Sequence, residues 1–253
     1  MQQKRTTSWG NEAEWYGDHL KGSDTYHTKV LLPNILRLVA PMKGQRVLEI
    51  GCGEGFFAEE IAHAGSTVTG CDISPELIAL AEKKGKAKYL VTPAQDLSPF
   101  GDASFDVVLA VLTLQNMEKL DVVMKEVARV LKPDGRFLFI LNHPVLRAPQ
   151  QTAWGFDEKT KTQYRRLDAY LSEKRIAIDM HPGTGKKSLT YSFHRSLQEY
   201  MKLLRTAGFA VTRLEEWISH KKSQPGPRAK AEDAARKEFP LFMMIEAGRL
   251  YTK

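Results

Sequence analysis

The stretch Val47-Leu48-Glu49-Ile50-Gly51-Cys52-Gly53-Glu54-Gly55-Phe56-Phe57 constrains this chain more than any other. Four residues, three of them apolar, run into three glycines at every second position, and helical spacing follows at Phe57, Ile61 and Ala62. That order predicts a buried strand, a tight turn and the first turn of a helix. Glycine in such a turn can take positive φ, and without a Cβ it lets another molecule touch the backbone. The helix that follows turns unpaired N–H groups toward that molecule. A glycine-rich turn with no ligand is the alternative, and a second stretch weighs against it. Thr67-Val68-Thr69-Gly70-Cys71-Asp72-Ile73-Ser74 is another short β-type run, ending on an acid about twenty residues past the glycines. In a βαβ unit Asp72 would stand at the end of the neighbouring strand, where a carboxylate accepts two ribose hydroxyls. Ser74 and Pro75 read as the cap and first turn of the next helix. The two stretches together predict a nucleoside-containing ligand.

The spacing narrows the nucleoside. A dinucleotide fingerprint, G-x-G-x-x-G, needs glycine at position 56, which is Phe56, and no G-K-[ST] follows for a phosphate-binding loop. VLEIGCGEGFFAEEIA resembles motif I of the class I S-adenosylmethionine (SAM)-dependent methyltransferases, and TGCDIS resembles their second motif. Thr92-Pro93-Ala94-Gln95-Asp96-Leu97 is similar to the segment after their third strand. Phe105-Asp106-Val107-Val108-Leu109-Ala110 is similar to the fourth strand, and Val130-Leu131-Lys132-Pro133-Asp134-Gly135-Arg136-Phe137-Leu138 to the turn into the fifth. These motifs run in order over residues 44–141. The resemblance implies SAM as cofactor and S-adenosylhomocysteine (SAH) as its product. It implies that Gly51, Gly53 and Gly55 allow close approach of the methionine part and that Glu49 orients its ammonium. Asp72 would hold the ribose, Ile73 would pack on adenine, and Gln95 or Asp96 would bond the adenine amino group. Cys52 and Ala110 fall among the implied cofactor contacts.

Alternating strand and helix patterns predict an α/β fold. Strands are expected at 46–50, 67–71, 88–91, 105–110 and 136–141, with helices at 54–64, 75–84 and 120–131 between them. Ligands bind beyond the carboxyl ends of such strands. With the resemblance, this becomes a doubly wound, seven-stranded, mostly parallel sheet with an insertion after strand five. One domain covers 1–253: an arm and helix over 1–43, the cofactor-binding core 44–141, a lid or substrate insertion 142–195, and a C-terminal helix and strand pair 196–253. The arm carries Trp9, Trp15, Tyr16 and His19, aromatic enough to pack over the ligand. Pro33 inside the helical run 26–39 marks a new start or a kink. The segment 142–190 holds Pro144, Pro149, Pro182, Gly183 and Gly185 together with Trp154, Phe156, Tyr164 and Tyr170. Its length and its departure from the sheet on the ligand face favour a lid or substrate insertion, with simple structural padding as the alternative. Ser196 with Glu199 reads as a capping box for a helix that stops near Gly208.

Composition bounds the partners. The net charge of +7 permits an acidic substrate or nucleic acid and compels neither. Basic residues cluster at 159–187 and at Lys221, Lys222, Arg228 and Lys230, without an RNA-binding module, so nucleic acid is not expected as a partner. No apolar run approaches a membrane span, and the first residues do not read as a secretory signal, so the expected compartment is the cytoplasm. Cys52 and Cys71 are the only cysteines, too few for a disulfide framework or a four-cysteine zinc site. No HExxH-type spacing suggests a metal. The oligomeric state is not legible.

For the chemistry, the place after strand four reads Ala110-Val111-Leu112-Thr113-Leu114-Gln115-Asn116. This is not the [N/D/S]-P-P-[Y/F/W] box of adenine- and glutamine-N-methylating enzymes. The layout resembles the small-molecule methyltransferases of the ubiquinone/menaquinone-biosynthesis-like group. That resemblance implies transfer to an O, N or C atom of a small acceptor by in-line displacement. RNA or protein methylation, and SAM binding without catalysis, are the alternatives. His143 and His194 fall in segments expected on the ligand face, and histidine accepts a proton near neutral pH. Both are therefore candidate bases, with His143 expected to face the methyl group; for each, a side chain that only anchors the lid is the alternative. Arg195 could bind a carboxylate or phosphate, or pair with an acid.

Overall fold

A computed structural model describes residues 22–148, 150–179 and 189–250. Trp9, Trp15, Tyr16, His19, Pro149, Pro182, Gly183 and Gly185 lie outside the described residues. The chain enters through a π-turn, His27–Leu31, and restarts as α1, Leu32–Val39, with Pro33 in its first turn. Proline is tolerated there because its missing N–H has no partner to lose.

Alternation then proceeds as β1 Arg46–Ile50, α2 Phe56–His63, β2 Thr67–Asp72, α3 Pro75–Glu82, β3 Lys88–Val91, β4 Phe105–Val111, α4 Leu120–Val130 and β5 Leu131–Asn142. After two hairpins come α5 Leu197–Thr206, β10 Phe209–Trp217, α6 Ala229–Glu238 and β11 Phe242–Arg249. One sheet of seven strands results, in the order β3-β2-β1-β4-β5-β11-β10, with β11 antiparallel to both its neighbours and the other pairs in β1–β5 parallel. Strand five starts earlier than its pattern indicates. Leu131 pairs with Phe105, and the ladder resumes only at Arg136 opposite Val107. The intervening Lys132–Gly135 bulges out, with Lys132 Nζ 2.6 Å from Asp106 Oδ1.

Period-two alternation sends each central strand's side chains to two cores. Leu48, Ile50, Val108, Ala110, Phe137 and Phe139 pack under α4 and α5 against Met124, Val127, Tyr200 and Leu204. Val47, Val107, Leu109, Leu138 and Ile140 pack under α1 and α2 against Ile35, Leu38, Phe57 and Ile61. Among the described residues no helix is long and apolar enough to cross a membrane.

Between β5 and α5 the chain forms two antiparallel hairpins, each outside the main sheet. The first is β6 Thr152–Asp157 with β7 Thr162–Leu167. The second is β8 Lys174–Asp179 with β9 Leu189–His194.

Candidate active site

The loops after β1, β2, β3 and β4 converge on a cavity of about 360 Å³, roofed by Tyr191 and Phe193 of β9. Its floor is the turn after β1. Gly51 sits there at φ 64°, and a Cβ on it would come within 2.2 Å of Thr113 Oγ1, so only glycine fits. Gly53 lines the same cavity, and its N–H donates to Asp72 Oδ2 at 3.0 Å. Asp72 Oδ1 accepts from the Ser74 N–H at 2.9 Å. Burial raises the Asp72 carboxyl above its ordinary value, against the two amides that favour its charge. Ser74 caps α3 through its Oγ, which accepts from the Leu77 N–H at 3.2 Å.

Glu49 lies beneath this turn on the α2 side of the sheet and is only 1% exposed. Desolvation pushes its carboxyl up to about 8, although the Ala58 amide at the start of α2 favours the ionised form. Its Oε2 is buried and has no hydrogen-bond partner. An orphaned carboxylate oxygen beneath a glycine turn suits a ligand ammonium, reached directly or through water. Glycines without Cβ, a carboxylate at the end of β2 and this orphaned oxygen together fit the parts of SAM.

The remaining expected positions divide between the cavity and its surroundings. Ile73 and Gln95 line the cavity with Pro93 and Ala94. Asp96 does not: it is exposed, and its Oδ1 accepts from the Ser98 N–H in its own turn. Gly55 is filled from below rather than by a ligand, since a Cβ on it would meet the Tyr89 hydroxyl at 2.4 Å. Tyr89 in turn donates to Glu59 at 2.7 Å, and Glu59 also accepts from the Lys86 and Ala87 amides. The Cys52 side chain turns toward Gly70 and Tyr89. Burial pushes the Cys52 thiol well up and the Cys71 thiol to about 12, so both stay protonated. Ala110 belongs to the core under α4, and the cavity edge from β4 is Val111, Leu112 and Thr113. Leu112 takes φ 53°, a left-handed conformation costly for a leucine. Its N–H bonds to Ile140 O and its carbonyl accepts from Asn116 Nδ2, which hold the chain in that turn.

The two histidines are corrections as well. His143 is 4% exposed and does not line the cavity. Its Nδ1 accepts from the Leu146 N–H at 3.2 Å, so its Nε2 is the donor to Glu216 Oε1 at 2.7 Å. His194 donates from Nε2 to the Tyr170 carbonyl at 2.8 Å, outside that cavity. Both rings tie the connection between β5 and α5 to its surroundings. Sequence reasoning missed Leu77, Thr113, Asn116, Met117, Tyr191 and Phe193 as lining residues. For the last two a signal existed, since they are alternate residues of one strand in a segment already expected on this face.

Comparisons with known proteins agree with this geometry. A family model described as a methyltransferase domain matches residues 48–139. The demethylmenaquinone methyltransferase of Tropheryma whipplei is 36% identical over 112 residues, covering 43% of this chain and 46% of that protein. A ubiquinone biosynthesis O-methyltransferase of Xanthomonas oryzae is 36% identical over 107 residues, 40% of this chain and 45% of its own. The chain thus spans about half the length of the curated relatives it matches. The crystal structure of a SAM-dependent methyltransferase from Mesorhizobium loti superposes with a TM-score of 0.67 at 26% identity, over 85% of this chain and 96% of that one. Strand order, the glycine turn with its carboxylate partner, and these likenesses identify the chain as carrying a class I SAM-dependent methyltransferase domain.

Proposed function

We propose that this protein transfers the methyl group of SAM to an O, N or C atom of a small-molecule acceptor. The observation that carries the reading is the single cavity running from Gly51 and Asp72 to Tyr191 and Phe193, with room for the cofactor at one end and aromatic walls at the other. When bound, the cofactor supplies a methyl on a sulfonium, already activated for displacement. The chain's own part is to align and exclude water. Glu49 would hold the ammonium, the Gly51–Gly53 backbone would take the methionine part, Asp72 would bond the ribose, and Ile73 and Gln95 would face the adenine. Asp72 keeps lone pairs free for this beyond the two it gives to amides. Tyr191 and Phe193 would position the acceptor.

Neither histidine serves as the base, because neither ring lines the cavity that would hold the methyl group. Transfer then favours an acceptor already ionised in water, or one whose proton leaves to solvent. The ubiquinone- and menaquinone-type relatives support a small acceptor. In the second basic cluster, Lys221 pairs with Asp24 and Arg228 with Glu158. Calorimetry with SAH and NAD tests the cofactor: SAH should bind and NAD should not. Asp72→Ala should weaken SAH by roughly tenfold or more, one charge-assisted bond. Equal affinity in that variant would remove Asp72 from the ribose. Screening small acceptors with labelled SAM tests the transfer.

A further inference from the structure

Next to the cofactor cavity lies a second cavity of about 30 Å³. Phe193 is a wall of both cavities. The small one is lined by Arg195, Arg147, Tyr200, Ser192, Gln115 and Asn142 among others, and the wall contains two arginines and no acid. Arg195 is 6% exposed. Its Nη2 donates to the Met117 and Glu118 carbonyls at 2.9 and 2.6 Å, and its guanidinium lies 5.4 Å over the Phe193 ring and beside the Tyr200 hydroxyl. Its Nη1 is buried without a hydrogen-bond partner in good geometry among the described residues. Arg147 lies over the Phe242 ring at 5.3 Å and the Tyr26 ring at 6.0 Å, and its buried Nη1 has no hydrogen-bond partner among the described residues; burial pulls its guanidinium below the ordinary value. Neither arginine has a carboxylate partner among the described residues.

A buried cation with an open N–H is unfavourable unless something anionic completes it. The two arginines occur in one small wall, next to the aromatic residues that close the acceptor end of the cofactor cavity. Volume selects the anion. About 10–15 Å³ holds one water, so the space matches the two oxygens of a carboxylate better than a tetrahedral phosphate. Guanidinium and carboxylate are also geometrically matched.

Building on the methyltransferase reading, we propose that the acceptor substrate carries a carboxylate, held in this cavity by Arg195 Nη1 with Arg147 as second cation. Phe193 would then stand between the anchored acid group and the part of the acceptor that receives the methyl. The Met117–Glu118 bonds of Arg195 would link acid recognition to the edge of the cofactor cavity.

The test uses the whole protein and acetate as probe, read from arginine side-chain ¹H–¹⁵N spectra with and without SAH. Acetate should shift the Arg195 and Arg147 signals saturably in both conditions, and the neutral isostere acetamide should not. Arg147→Met should weaken acetate by roughly tenfold or more, with SAH affinity unchanged. Arg195→Lys, which keeps a donor for the two carbonyls, should do the same. Equal shifts with acetate and acetamide, or none with either, would overturn the proposal. So would undiminished acetate binding in both variants. Tighter binding of inorganic phosphate than of acetate would overturn the carboxylate assignment. Loss of acetate binding on adding SAH would give the cavity to the cofactor instead. Failure of SAH to bind at all, with acetate still binding, would count against the cofactor reading and leave the anion site standing.

Discussion

The two hairpins between β5 and α5 have similar length and similar chemistry, yet face different things. The first turns outward onto α6: Trp154 meets Phe239 edge-on at 5.4 Å, Arg228 lies 4.3 Å over Phe156, and Arg228 pairs with Glu158 at 2.6 Å. The second turns inward: Tyr191 and Phe193 roof the cofactor cavity, with Arg175 stacked 3.7 Å from the Tyr191 ring. Both use arginine–aromatic pairs. The difference therefore comes from where each hairpin leaves the scaffold, not from what it is made of. Of the expected lid or substrate insertion over 142–195, only β9 lines the cavity among the described residues.

The largest effect that would confirm or break this contrast is on turnover. Replacing Tyr191 and Phe193 by alanine should lower kcat/KM for any identified acceptor by roughly 10²-fold, the usual consequence of losing alignment. Trp154→Ala in the other hairpin should leave it within about a factor of two. Equal losses from both would mean the hairpins act as one unit.

Next comes the floor beneath the second hairpin. With its carboxyl pushed up to about 8 from an ordinary 4.5, Glu49 holds a proton in the folded protein that the unfolded chain has released. Its contribution to stability is full below about pH 4.5 and is lost as pH rises through about 8. Thermal melts should show wild type losing stability relative to Glu49→Gln across that window. Binding an ammonium there should release a proton, seen as a dependence of calorimetric heat on buffer. A constant difference between the two proteins at every pH would exclude this ionisation.

Smaller effects belong to the outward hairpin and should appear in stability alone. Trp154→Ala removes an aromatic pair and a cation–π contact with Arg165, about 1–2 kcal/mol together. Glu158→Ala breaks a pair with both partners more than half exposed, and denaturant melts should register less than about 1 kcal/mol.

The same contrast explains what the sequence disclosed. The βαβ unit around Gly51 and Asp72 was legible because its determinants are local: glycine spacing, a capping Ser74, and an acid one strand on. Strand positions in β1–β4 followed from runs of apolar residues. The first hairpin's direction was not legible, since its partners Phe239 and Arg228 lie far along the chain. His143 was misplaced for the same reason. Its ring is oriented by Glu216, seventy-three residues later, and nothing near position 143 announces that partner. Ala110 falls one residue short: the cavity edge begins at Val111, and an unbroken apolar run gives no sign of where the strand leaves the core for the ligand end.

Asp72 reaches back to the Gly53 amide and forward to that of Ser74, so one carboxylate fastens two loops before any ligand arrives. A turn held this way has little conformational freedom left to surrender on binding. Cofactor capture should accordingly show a small ordering penalty at the glycine turn, and its association rate should be governed by passage beneath β9 rather than by folding of the loop that receives it.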